Sequence, residues 1–292
     1  MSDPMDVCLI VNPTAGAGRA ARLLAGVEAE LRAMGRSFRV ERTTSMPHAR
    51  GLSREAAARG EVVAAMGGDG LTGAVAGELR DGNGVLAVLP GGRGNDFARK
   101  LGIDADPVKA CAHIEAGRER RIDLGEVGGR TFLGILSAGL DSDANRIANA
   151  TKLRLGTTIY AYAALRALAA WKTADWTVTV DGASHDFAGY SVAVANSGVY
   201  GSGMYLVPEA ELDDGVLDVV LSREIPKRRY LANVPKVFKG THVDEPGLTL
   251  LRGREVTFGA DRPFDAYADG DPIAQLPATV RVLPGTLRVL AP

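Results

Sequence analysis

The chain of 292 residues carries 34 basic and 35 acidic side chains, 46% hydrophobic and 24% charged residues, 36 glycines and two cysteines. This is the balance of a globular protein, which excludes disordered and collagen-like classes, and a formal net charge of -1 gives no footing to nucleic-acid binding. Cys8 and Cys111 form no zinc or redox motif, and Cys8, inside an apolar run, reads as a buried thiol.

Met1-Ser2-Asp3-Pro4 leads almost directly into a strand without a signal-peptide pattern, so a cytoplasmic location is expected. The first part then alternates. Strands are predicted at Val7 to Val11, Phe38 to Glu41, Val62 to Met66 and Val85 to Leu89. Helices are predicted at Ala20 to Met34, from Pro47 towards Arg59, at Thr72 to Leu79, from near Asn95 and at Pro107 to Glu115. Continuous apolar strands separated by helices imply an α/β unit, a doubly wound, Rossmann-like parallel sheet covered on both faces.

Beyond about residue 122 the texture changes to β-branched runs broken by Gly, Asp and Pro. Strand character is found at Arg121 to Val127, Arg130 to Ser137, Trp176 to Val180, Tyr190 to Asn196, Leu217 to Leu221, Leu248 to Phe258 and Thr279 to Leu283. Helical segments at Ala144 to Trp171 and Pro226 to Phe238 interrupt them. A second, mostly antiparallel, β-sandwich-like domain with helical insertions follows, over 123–285, after a first domain over 1–122. The run Thr286 to Leu290, within 286–292, is free to return to the first domain.

Chemistry concentrates in glycine-rich turns at strand ends. Asn12-Pro13-Thr14-Ala15-Gly16-Ala17-Gly18 joins the first strand to the first helix; small residues there suit either an anion or a tight turn. In Gly67-Gly68-Asp69-Gly70 three glycines remove side chains at the next strand-to-helix turn, and Asp69 can hydrogen-bond loop amides or hold Mg²⁺ through water. Thr72 either caps the following helix or offers its hydroxyl to a phosphate. The window Leu89-Pro90-Gly91-Gly92-Arg93-Gly94-Asn95-Asp96 places Arg93 where it can meet phosphate oxygens, and Asn95 or Asp96 where it can cap a helix. The first of these turns, Asn12 to Arg19, matches neither GxGxxG nor GxxxxGK[ST]. A later cluster, Asp265, Asp269 and Asp271, reads as a polar turn or as carboxylates for proton transfer.

Together Asn12 to Gly18, Gly67 to Thr72, Leu89 to Ala98 and Asp269 to Pro272 resemble the diacylglycerol kinase catalytic-domain family, which includes bacterial soluble lipid kinases and is related to sphingosine, ceramide and, more distantly, NAD kinases. The resemblance covers nearly the whole chain in motif order. It implies a nucleotide domain followed by a lipid-substrate domain, with ATP in the cleft between them. Asn12, Pro13, Gly16, Thr43, Gly67, Gly68, Asp69, Gly70, Thr72, Arg93, Asn95 and Asp96 would lie around ATP, with Asp69 supporting Mg²⁺. Asp271 would take the proton of the acceptor hydroxyl with Asp269 as its partner. Glu211, Asp214 and Val216 would hold a structural Mg²⁺. Three positions depart from the family pattern: Leu71 and Arg93 stand where Thr is usual, and Asp271 where Glu is usual. The implied activity is ATP-dependent phosphorylation of diacylglycerol to phosphatidic acid. Another lipid alcohol or NAD as acceptor is the enzymatic alternative, and a non-catalytic lipid- or nucleotide-binding protein is the other class. A membrane-derived lipid substrate, contact with an anionic inner membrane surface through the basic apolar segment Pro226 to Lys239, and a homodimeric assembly stay open.

Overall fold

A computed structural model describes residues 6–82, 84–151 and 158–292. Elements β1 (Val7–Val11), α1 (Ala15–Ala33), β2 (Phe38–Arg42), α2 (Met46–Ala58), β3 (Val62–Gly67), α3 (Asp69–Leu79) and β4 (Val85–Pro90) alternate strand and helix. The strands β1, β3 and β4 are buried along their whole length, as their unbroken apolar sequences require of strands covered on both faces. Their order is β2-β1-β3-β4, all parallel. α1 packs with α5 (Pro107–Ala110) and α2 with α3; between them come α4 (Asp96–Lys100) and, after α5, α6 (Ala112–Ala116). α1 begins five residues earlier than its apolar periodicity suggests. The extra turn is not ordinary helix: Gly16, Ala17 and Gly18 have φ of 59°, 56° and 83°.

The second part contains β5 (Glu119–Val127), β6 (Arg130–Phe132), β7 (Ile135–Gly139), α7 (Leu140–Ala150), α8 (Thr158–Ala170), β8 (Ala174–Val180), β9 (Ala183–Ser184) and β10 (Phe187–Ala195). There follow β11 (Val199–Tyr200), β12 (Met204–Tyr205), β13 (Leu217–Arg223), α9 (Lys227–Val237), β14 (Leu248–Gly253), β15 (Glu255–Ala260), β16 (Asp265–Ala268), β17 (Asp271–Gln275) and β18 (Ala278–Leu290). The helical stretch predicted over Ala144 to Trp171 is two helices, with residues 152–157 of it outside the described part. The single strand predicted over Leu248 to Phe258 is two, because β14 pairs with β13 while β15 pairs with β8 and β18.

The two halves share one mixed sheet. The predicted strands Thr279 to Leu283 and Thr286 to Leu290 are one strand, β18, with a register irregularity between Leu283 and Leu287. Its first half pairs antiparallel with β15, and Arg288 to Leu290 pair in parallel with Val85 to Ala87 of β4. β18 therefore carries the parallel sheet into the antiparallel one, so the second sheet is continuous with the first rather than a separate body. One core lies around β1, β3 and β4; a second lies around Trp176, Phe258 and Val192 under α8. Both cysteines are buried, which pushes the Cys8 thiol up to about 11 and the Cys111 thiol up to about 12, so neither is a nucleophile near neutrality. No helix among the described residues is long and apolar enough to cross a membrane.

Candidate active site

Three loops meet at the carboxyl ends of β1, β3 and β4. The amides of Gly91 and Gly92 both donate to the Gly67 carbonyl, at 2.8 and 3.0 Å, and the Asn12 amide donates to the Met66 carbonyl at 3.0 Å. The backbones approach so closely that side chains would not fit. A Cβ on Gly16 would lie 2.5 Å from the Gly91 carbonyl oxygen, and one on Gly92 2.5 Å from the Gly68 Cα. Several polar side chains of the loops hold the loops themselves. Asn12 Oδ1 accepts from the Thr14 amide and hydroxyl, the Thr43 hydroxyl donates to the Ser45 carbonyl, and the Thr72 hydroxyl donates to the Gly68 carbonyl. Asn95, at φ 51°, accepts from the Gly92 amide and donates back to its carbonyl. Arg19, which the motifs do not single out, donates to the carbonyls of Pro90 and Ala105 and fixes the third loop against α1.

Carboxylates stand around this junction. Asp69 opens α3, where the unpaired amides of the first turn favour negative charge, and its Oδ1 accepts from the Phe97 amide at 3.1 Å. Asp96 is buried; its Oδ2 accepts from the Ser202 amide at 2.8 Å, while its Oδ1 has no partner. Oxygens of Asp69 and Asp96 both lie within 3.4 Å of the point that a Cβ on Gly94 would occupy. Burial first, and then the Asp69 charge, raise Asp96 above the usual carboxylate range. Across the junction Asp269, at φ 52°, accepts from the Leu133 and Gly134 amides at 2.9 Å each. Burial pushes its carboxyl up to about 6 against the pull of those two amides, with the charges of Asp69 and Asp271 adding to the rise.

Two spaces of opposite character lie near Asp269, which lines the second of them. One, a polar cleft of about 750 Å³, runs between α2, α3 and the β5–β6 turn; Arg50 and Arg54, paired with Glu78, Arg80, paired with Asp81, and Arg130 wall it over the small residues Ala57 and Gly77. Its inner end reaches Gly73, where a Cβ would lie 3.4 Å from Asp269 Oδ2. Arg130 ties the cleft wall to the next strand by donating to the Pro272 and Ile273 carbonyls. The other is a cavity of about 620 Å³, mainly apolar, whose lining includes Asp69, Asp96, Asp269 and Arg93 at one end. β7, β10 and β13 contribute to its lining, as do α8 and α9. A second polar group also lines it: Asp141, which accepts from the Ser191 hydroxyl at 3.3 Å and is pushed up to about 6 by burial.

Of the sequence-predicted nucleotide residues, Asp69, Arg93 and Asp96 line the cavity together with Asp269, while Asn12, Gly16, Gly67, Gly68 and Asn95 belong to the loop junction. Asp271 begins β17, exposed, two residues beyond Asp269 and outside the cavity lining. Glu211, Asp214 and Val216 lie elsewhere, on the loop before β13. There the Arg252 guanidinium pairs with Asp214 and, at 3.1 Å, with Asp218, while Glu211 is exposed. Among the described residues no three acidic, histidine or cysteine side chains form a ready-made metal cluster. The orphaned oxygen of Asp96 beside Asp69 is a donor set that suits a hard cation brought in with phosphates. At the Asp214 loop the carboxylate is paired with Arg252, so a cation there would have to displace the guanidinium.

Comparison with known proteins agrees with this geometry. Residues 6–127 match the family described as diacylglycerol kinase catalytic domain, and residues 134–291 the YegS C-terminal NAD kinase beta sandwich-like domain. A diacylglycerol kinase of Mycobacterium tuberculosis is 32% identical over 98% of this chain and 95% of its own length. One from Bacillus subtilis is 26% identical over 92% and 90%. A solved structure described as a diacylglycerol kinase from Bacillus anthracis superimposes with a TM-score of 0.79 over 100% of this chain and 98% of its own at 21% identity, a likeness of fold. The two matched regions follow one another along a chain whose glycine loops and carboxylates converge at their junction: the protein belongs to the diacylglycerol kinase catalytic-domain, YegS-like family of bacterial lipid kinases.

Proposed function

We propose that this lipid kinase transfers the γ-phosphate of Mg²⁺–ATP to the hydroxyl of diacylglycerol, giving phosphatidic acid. The observation that carries the reading is the position of Asp269, together with Asp69, Asp96 and Arg93, in the lining of a mainly apolar cavity that meets the glycine loops. The glycine loops suit a nucleotide, whose phosphates meet the free amides at the start of α3. The cavity, whose wall is mainly apolar, suits acyl chains. Mg²⁺ bound with the nucleotide, near Asp69 and Asp96, supplies charge neutralisation on the phosphates.

The protein's own contribution is positioning and proton transfer. Asp269, held by two amides, fixes the turn that carries Asp271. Asp271 accepts the proton of the lipid hydroxyl as its oxygen attacks the γ-phosphorus in line and the bond to the leaving diphosphate oxygen breaks. Arg93, at the cavity end, offers its guanidinium to the transferred phosphate's oxygens. The test is transfer of labelled γ-phosphate from ATP to diacylglycerol, ceramide, sphingosine, undecaprenol and NAD. Labelled phosphatidic acid, reduced about 100-fold or more in Asp271→Asn, is the expected result. Labelled NAD overturns the lipid reading, and nucleotide binding without transfer to any acceptor selects the non-catalytic alternative.

A further inference from the structure

We infer that the outer faces of α8 and α9 are the docking surface of this enzyme on an anionic bilayer, with the apolar cavity opening between them to admit lipid; the inference rests on the lipid-kinase reading. Leu165 on α8 and Leu231 and Val234 on α9 both line the cavity and stand exposed, Leu165 by 54% and Leu231 by 42%. Phe238, just past α9, is 50% exposed and outside the lining, so it extends the apolar face beyond the cavity. Lys227 donates to the carbonyls of Ala169 and Trp171, which ties the start of α9 to the end of α8 and makes the two one surface.

The cations of α9 divide by direction. At about 100° per residue, Leu231, Val234 and Phe238 share one stripe. Arg228 lies about 60° from Leu231, whereas Arg229 and Lys236 lie about 160° and 140° away. Those two turn from the stripe and are already engaged with Glu245. Arg228 and, beyond the helix, Lys239 make no ion pair among the described residues. Unpaired cations beside exposed apolar side chains, with the paired ones turned away, are the pattern of an interfacial segment rather than of a protein-covered face. The occupant also follows from the cavity: its mouth must meet the phase in which a long-chain lipid is dissolved, and that phase is the bilayer.

Co-sedimentation of the full chain with vesicles tests the assignment. Wild type should bind phosphatidylcholine vesicles containing one quarter phosphatidylglycerol about tenfold more tightly than pure phosphatidylcholine. Phe238→Ser and Arg228→Glu should each lose about tenfold of that binding, while Lys109→Glu, the same charge change on α5, should not. Both face variants should keep transfer to a water-soluble short-chain diacylglycerol within about twofold and lose transfer to long-chain diacylglycerol held in vesicles. Wild type that ignores the anionic vesicles, variants that bind as wild type does, or an equal loss in Lys109→Glu overturns the assignment. So does a dimer in size-exclusion chromatography that Phe238→Ser dissolves, because the face would then belong to a second copy. Vesicle binding without transfer to any lipid defeats the kinase reading and leaves the docking face standing; short-chain transfer without vesicle binding does the reverse.

Discussion

Asp269 Oδ1 accepts the Gly134 amide at 2.9 Å, across 135 residues of sequence, while its other oxygen takes the Leu133 amide. One side chain thereby locks the β16–β17 turn onto the entry to β7, in the lining of the apolar cavity. Asp269→Asn keeps the shape but offers one acceptor oxygen in place of two, so Asp271 should lose its register. The expected outcome is a fall of about 100-fold in kcat with ATP affinity little changed. A readout specific to positioning is the pH profile. With Asp269 titrating near 6, wild-type kcat should decline below about pH 6 as the carboxylate protonates, and that limb should vanish in the variant. A limb that persists in Asp269→Asn assigns it to another group.

Asp141 offers a pH dependence of stability whose sign is opposite to that of an ion-paired carboxylate. Its folded value, about 6, lies above the ordinary value of 3.8, because burial disfavours the charge and the Ser191 hydroxyl only partly compensates. The folded state therefore holds the proton more tightly than the unfolded one. The associated stabilisation is complete below about pH 3.8 and lost as pH rises through about 6. At pH 7.5 the ionised carboxylate is a burden, so Asp141→Asn should raise stability by about 2 kcal/mol, and thermal unfolding should show the variant's advantage shrinking from pH 7 to pH 4. Equal Tm differences at both pH values would contradict the assignment. Because Asp141 lines the apolar cavity, a stabler variant with a higher KM for lipid would mark this carboxylate as kept for binding rather than for folding.

Contact between the glycine loops is tested by Gly92→Ala. The new Cβ would lie 2.5 Å from the Gly68 Cα and 3.0 Å from Asn95 Oδ1, and neither the backbone nor the Asn95 clasp can retreat freely. Separating the second and third loops should cost about 1–3 kcal/mol of stability and weaken nucleotide binding about tenfold or more, read by thermal unfolding with and without ATP. Gly70→Ala is the counterpart: nothing lies within 4 Å of its Cβ position. It should leave stability close to wild type.

These loops were legible in the sequence because close backbone approach leaves its mark as missing side chains, and three such turns followed three apolar strands. The parallel strands were legible for a related reason: burial on both faces demands continuous apolar runs. What could not be read is what is joined across long separations. The amide partners of Asp269 carry no residue signature, since any residue supplies an N–H. The union of the two sheets through β18 turns on Pro284-Gly285, which looks like a strand end but is a register irregularity within one strand. Arg50, Arg54, Arg80 and Arg130 come from separate elements and form a cleft wall only after folding. Asp141 had a visible cue in Gly139-Leu140-Asp141, another glycine at a strand end, without a neighbouring motif to give it meaning.

The acidic loop before β13 yields the last prediction, about metal dependence. Asp213 pairs with Arg120, Asp214 and Asp218 share Arg252, and the buried Asp123 carboxylate accepts the Gly215 and Gly285 amides at 2.7 Å each. Lys100, from α4, reaches across to the Ala210 carbonyl. The loop is neutralised and anchored by groups of the chain itself, so chelation of Mg²⁺ with EDTA should leave the nucleotide-free protein's Tm unchanged. In Arg252→Ala, Asp214 and the buried Asp218 face one another without the guanidinium between them, and Lys100 is the nearby cation that remains for Asp218. Their repulsion should lower Tm by a few degrees at low salt and less at high salt, and Mg²⁺ should now restore part of the loss by taking the vacated place between the carboxylates. The charge-preserving Arg252→Lys should fall between the two. If EDTA destabilises the wild type and Mg²⁺ reverses it, an ion rather than Arg252 holds the loop, and the guanidinium must swing aside to admit it.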